Sequence, residues 1–204
     1  MTTNTRVSAA PKRSLNWRVV DIVVASVLGV ACGFVFLGWN AVGYAWFEAM
    51  DALTPGLGGI ATGIWLIGGV LGGLIIRKPG AAVYVEVLAA TVSAVLGSQW
   101  GISTLYSGLA QGIGVEIILA IFLYRKFGLG VSILAGMAAG WGAFILELFL
   151  SGNLARSFEF KVIYLATLSV SGAILAGALG YFVVKALAKT GALDRFAAGR
   201  EQRA

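Results

Sequence analysis

The chain has 204 residues, 59% of them hydrophobic and only 12% charged, whereas a soluble domain carries about 25% charge. With a mean hydropathy of +0.90, it reads as an integral membrane protein with no water-soluble domain of useful size. The absence of histidine and the single cysteine, Cys32, exclude His-based catalysis, an internal disulfide and any His or Cys-pair metal site.

Residues 1–16 form a polar, basic tail carrying Arg6, Lys12 and Arg13. A first apolar span, residues 19–37, follows Arg18. It is read as an uncleaved helix rather than a signal peptide, because further spans follow with no secreted domain. Residues 39–54 are rich in Trp and Tyr and carry Glu48 and Asp51, the composition of an interfacial amphipathic connection. The second span covers residues 55–76 and ends at Arg77-Lys78. The third lies within residues 77–101, between Pro79-Gly80 and Gly97-Ser98-Gln99-Trp100-Gly101. The fourth covers 104–124 and ends at Arg125-Lys126, and the fifth covers 128–150. A polar loop with Arg156, Glu159 and Lys161 leads to the sixth, residues 162–187. Runs of about 20 apolar residues cross a hydrocarbon core of ~30 Å only as helices.

The expected architecture is therefore all-α, with six transmembrane helices in one domain over residues 17–188. Tails of residues 1–16 and 189–204 flank it. A cytoplasmic N-terminus puts all Lys and Arg inside except Arg156 and Lys161, which obeys the positive-inside rule and places both termini in the cytoplasm. The net charge of +6 thus reports topology, not a nucleic-acid partner. No internal repeat points to an inverted-repeat transporter.

Three glutamates lie inside apolar spans, and an intramembrane acid is a functional candidate by default. Glu86 shares a helix face with Ala82, Ala89, Ala90, Ser93 and Gly97, Glu116 with Gly108, Gly112 and Ala120, and Glu147 with Gly136, Gly140, Ala143 and Ser151. Small residues beside an acid either bring helices together or leave room for a ligand. The alternative reading makes each glutamate a packing group, hydrogen-bonded or protonated. Counting residues puts Glu86 about 10 Å from the cytoplasmic start of its helix, Glu116 near mid-membrane and Glu147 near the outer end. Trp39, Asn40, Tyr44, Trp46, Gln99, Trp100, Tyr106 and Gln111 cluster towards the outer side, with Trp65 and Trp141 at intermediate depth. Carboxylates beside indoles suit a flat, amine-bearing or cationic ring. Ala25, Gly29 and Gly33 form a flat strip on the first helix, fit for close approach of another helix. No G-x-x-x-x-G-K-[ST] motif and no H-E-x-x-H motif is present, so neither ATP hydrolysis nor zinc-protease chemistry is expected.

Arg77-Lys78-Pro79-Gly80-Ala81, Glu86, Gly97-Ser98-Gln99-Trp100-Gly101 and Gln111-Gly-x-Gly-x-Glu116, with Trp17, Asp21 and Gly38-Trp39, resemble the YkoE family. Its members are substrate-binding (S) components of energy-coupling-factor (ECF) transporters, a class of ABC importer. The resemblance implies a six-helix S-component bundle in a bacterial cell membrane, with no catalytic residues, cofactor or metal. It implies an outward pocket for the vitamin thiamine or its hydroxymethylpyrimidine precursor, with the 39–54 segment closing over it. It also implies docking on a transmembrane coupling component served by two cytoplasmic ATPases. S components commonly dock through an Ala-x-x-x-Ala strip on the first helix; here Ala25 matches its first position and Gly29 replaces the second, within the Ala25, Gly29 and Gly33 strip. The rival reading is a stand-alone carrier whose buried glutamates relay protons.

Overall fold

The computed structural model describes residues 14–201, and every regular element among them is helical. Helix α1 (Val19–Leu53) starts where the Asp21 carboxylate accepts a 2.7 Å hydrogen bond from the Arg18 N–H. It runs 35 residues to Thr54 and Pro55, about 52 Å at 1.5 Å per residue. The expected break between residues 37 and 39 is absent. A Cβ at Gly38 would meet nothing within 4 Å, and no proline intervenes before Pro55 to interrupt the backbone ladder. Residues 39–53 are thus a rigid extension of α1 and not a connection that closes over a pocket.

The second span is two helix types in series. A 3₁₀ segment (Leu57–Leu66) passes into α2 (Ile67–Ile76), a long 3₁₀ run where three or four residues are usual. The Ser171 hydroxyl holds it from the side, accepting from Gly63 N–H at 2.8 Å and donating to Ile60 C=O at 2.6 Å. Helix α3 (Ala81–Val95) is only 15 residues long and packs among α1, α2 and α4 (Ser103–Ile121). Helix α5 (Leu129–Leu150) is followed by α6 (Phe158–Ser171), a π-helical stretch (Gly172–Ala178) and α7 (Leu179–Lys189), which together form one rod. Among the described residues, five helical runs are long and apolar enough to cross a membrane, and α3 is a shorter apolar helix beside them.

The α1 strip differs from expectation. Ala25 is fully buried, and Cβ atoms at Gly29 and Gly33 would lie 2.8 Å from Leu88 and 2.6 Å from Val92. The strip seats α3 of the same chain, so it offers no free docking face.

One end of the bundle gathers most of the described basic residues. Asp21, fully buried, pairs with Lys78 and with Arg18. Arg77 forms a bidentate pair with Glu201 at 2.5 and 2.7 Å and lies 4.4 Å from the Phe127 ring. The expected C-terminal tail instead folds back at this end, burying Leu193, Phe196 and Ala198 around the short helix α8 (Ala197–Arg200). Of the expected N-terminal tail, residues 1–13 lie outside the described residues.

Candidate functional site

At the end opposite Arg77 and Lys78 the helices enclose a cavity of about 350 Å³. Its wall comes from the far half of α1, the 3₁₀ segment, α3, the start of α4, the end of α5 and the start of α6. Glu86 is the innermost charged group, with 1% of its surface exposed. One of its oxygens accepts from the Gly69 N–H, and a Cβ at Gly68 would stand 2.9 Å from that oxygen. Small residues on α2 are what let the carboxylate reach the backbone.

Gln111 completes this arrangement. The surroundings orient its amide so that Nε2 donates to the other Glu86 oxygen at 3.2 Å and to Trp65 C=O at 3.1 Å. Its Oε1 then accepts from the Ser107 hydroxyl at 2.8 Å. Trp65 C=O and Gly69 N–H are four residues apart, the spacing of one α-helical hydrogen bond. At the junction between 3₁₀ and α geometry, side chains of α3 and α4 serve these two backbone groups.

The aromatic wall is positioned by a second network. Asn40 donates to Ser93 Oγ at 3.1 Å and accepts from Trp65 Nε1 at 2.8 Å. The Trp65 and Trp100 rings stand perpendicular, 5.6 Å apart, and Tyr44 meets Trp100 edge-on at 5.3 Å. Nearer the mouth, Tyr164 donates to Glu147 at 2.5 Å and the Arg156 guanidinium lies 4.6 Å from the Phe160 ring. On the wall, the Thr62 hydroxyl has no partner, alone among buried side-chain polar atoms of the described residues.

Of the residues expected from sequence, Asn40, Trp65, Glu86, Trp100, Gln111 and Glu147 line this cavity. Four others do not. Trp39 donates to Ala61 C=O at 2.9 Å, and Trp141 donates to Ser169 Oγ at 2.8 Å. Gln99 is exposed in the turn after α3. Glu116 accepts from the N–H groups of Gly80 (2.7 Å) and Ala82 (3.1 Å) and from the Tyr124 hydroxyl (2.7 Å). It caps the start of α3 from the basic side, because the first N–H groups of a helix have no partner within it. Thr62, Ser107 and Tyr164 were not expected at the cavity, whereas Tyr44, one of the outer aromatics, does line it. Ser107 falls one turn before Gln111, a spacing that could have shown it.

A bundle of helices long and apolar enough to cross a membrane, closed around a cavity, fits a multi-pass membrane protein. Comparison with known proteins agrees. Residues 20–142 match the family described as "ABC-type cobalt transport system, permease component". A Bacillus subtilis (strain 168) protein, provisionally named HMP/thiamine permease protein YkoE, is 37% identical over 190 residues, covering 91% of this chain and 92% of that one. A crystal structure of an S-component of an ECF transporter superposes with a TM-score of 0.78 at 34% identity, covering 92% of this chain and 94% of the other. The chain belongs to the YkoE family of ECF S components and is a transport subunit, not an enzyme.

Proposed function

We propose that this chain captures hydroxymethylpyrimidine or thiamine in the cavity above Glu86 and delivers it to an ECF coupling component driven by two ATPases. The observation that carries this reading is the Glu86–Gln111 pair facing the cavity beside Trp65 and Trp100. A carboxylate accepts from an exocyclic amine, and perpendicular indoles offer one face and one edge to a flat ring. The unpartnered Thr62 hydroxyl gives a bound molecule one more polar contact, since a buried hydroxyl is costly to leave unpaired. The name of the relative supports the same ligand class. The family's description mentions cobalt, but among the described residues no three His, Cys, Asp or Glu side chains gather as metal ligands, and an organic ligand suits this wall better.

In this reading the basic end faces the cytoplasm of a bacterial cell by the positive-inside rule, and the cavity opens outward. Binding alone moves nothing, so uptake needs the coupling component and its ATPases. Replacing Glu86 by Gln keeps the shape and removes the charge. A charge-assisted hydrogen bond contributes roughly 1.5–3 kcal/mol, so affinity should fall about 10- to 150-fold. Calorimetric titration of the purified protein with thiamine and with hydroxymethylpyrimidine measures this. Wild-type affinity for both in the Glu86→Gln variant would refute a carboxylate-anchored site.

A further inference from the structure

A second cavity, of about 300 Å³, lies at the basic end between the end of α2, the turn that precedes α5, α7 and the C-terminal segment around α8. Its charged lining groups are Arg77, Arg125, Lys185 and Glu201. Arg77 and Glu201 neutralise one another through their bidentate pair. Arg125 and Lys185 remain as two positive charges, and neither forms an ion pair among the described residues. Lys185 lies 5.1 Å from the Tyr181 ring, which forms part of the wall.

Backbone geometry aims Arg125 here. Leu123 and Tyr124 both take left-handed conformations, at φ 52° and 53°, which bulky residues seldom adopt. They turn the chain sharply after α4, and Arg125 follows at the cavity. Two apolar residues adjoin the lining in sequence, Leu129 next to Gly128 and Phe182 next to Tyr181. Leu129 on α5 and Phe182 on α7 are exposed at 38% and 57%, the surface expected to meet hydrocarbon.

We propose that this cavity binds the phosphate of an anionic phospholipid, with Arg125 and Lys185 on the phosphate oxygens and the acyl chains lying along α5 and α7. A guanidinium fork and an ammonium are the standard partners of a phosphate, and a cationic site with exposed apolar residues adjoining it matches an amphiphile. A soluble phosphate would use the same cations but gain nothing from Leu129 and Phe182.

The test titrates the full chain, in neutral detergent, with phosphatidylglycerol, phosphatidylcholine or inorganic phosphate, and follows thermal stability and native mass spectra. Phosphatidylglycerol should raise Tm and remain bound one to one, and the other two should do neither. The Arg125→Gln/Lys185→Gln double variant should bind phosphatidylglycerol at least about ten-fold more weakly, with Lys185→Gln alone as the milder test should the double variant fold poorly. Lys126→Gln is the control, because Lys126 is exposed beside Phe122 and does not line the cavity. Unchanged lipid binding in Lys185→Gln and in any folded double variant would overturn the proposal. So would an equal loss in Lys126→Gln, which would reveal a diffuse field at this end, or full stabilisation by inorganic phosphate, which would make the ligand a soluble one. The outcome does not depend on what the other cavity binds.

Discussion

Glu86 and Glu116 carry the same side chain on adjacent helices and do unrelated work. Glu86 faces the cavity with Gln111, whereas Glu116 takes the N–H groups of Gly80 and Ala82 and the Tyr124 hydroxyl. Glu116→Ala should therefore lower stability by about 1–3 kcal/mol through the orphaned donors and leave ligand affinity within about two-fold. Thermal melts with and without ligand check both parts; a large loss of affinity at unchanged stability would place Glu116 in the binding site after all. Nothing in the i, i+4 pattern separates the two acids. Both lie beside small residues, and what distinguishes them is the partner each meets on another helix, which one strand of sequence does not display. That Trp39 and Trp141 stand off the cavity lining was illegible for the same reason: an indole N–H bonded to Ala61 C=O or Ser169 looks in sequence like any other tryptophan.

Hydropathy located the order of the helical elements well, because apolar runs and basic turns alternate plainly along the chain. It did not locate helix ends. Helix α1 continues through the Trp- and Tyr-rich segment, since aromatic residues tolerate a helix and only Pro55 stops it. The same contact geometry reverses the meaning of the Ala25-Gly29-Gly33 strip. With Leu88 at 2.8 Å from a Cβ at Gly29, Gly29→Leu should push α3 away and destabilise the protein by roughly 1–3 kcal/mol or more. Shortening the neighbour, in Gly29→Leu/Leu88→Ala, should recover part of the loss. Full stability in the single variant would mean that α3 does not sit on this strip.

Taken whole, the molecule is held together at its basic end by charges that sequence counting assigned only to topology. Lys78 and Arg77 are 7% and 6% exposed, and each grips a segment near one end of the described chain, Asp21 and Glu201 respectively. Removing one partner of a buried pair leaves an uncompensated charge and costs about 3–5 kcal/mol. Lys78→Met should approach that loss, tempered by Arg18, which still pairs with Asp21. The Asp21→Asn/Lys78→Met double variant should be more stable than Lys78→Met. A double-mutant cycle by chemical denaturation would expose the coupling, and strict additivity would show that the pair contributes little.

The bond between Gly69 N–H and Glu86 also turns the binding site into its own spectroscopic reporter. An amide proton held by a carboxylate resonates far downfield, and its position follows the charge on that carboxylate. A ligand that draws on Glu86 should move the Gly69 signal of an isotope-labelled sample, while glycines in the α4–α5 contact, such as Gly114 beside Ala138, stay still. Titrating the labelled protein would then read occupancy atom by atom, without a tag on protein or vitamin. A Gly69 signal that ignores a saturating ligand would show that the carboxylate is not where the molecule binds.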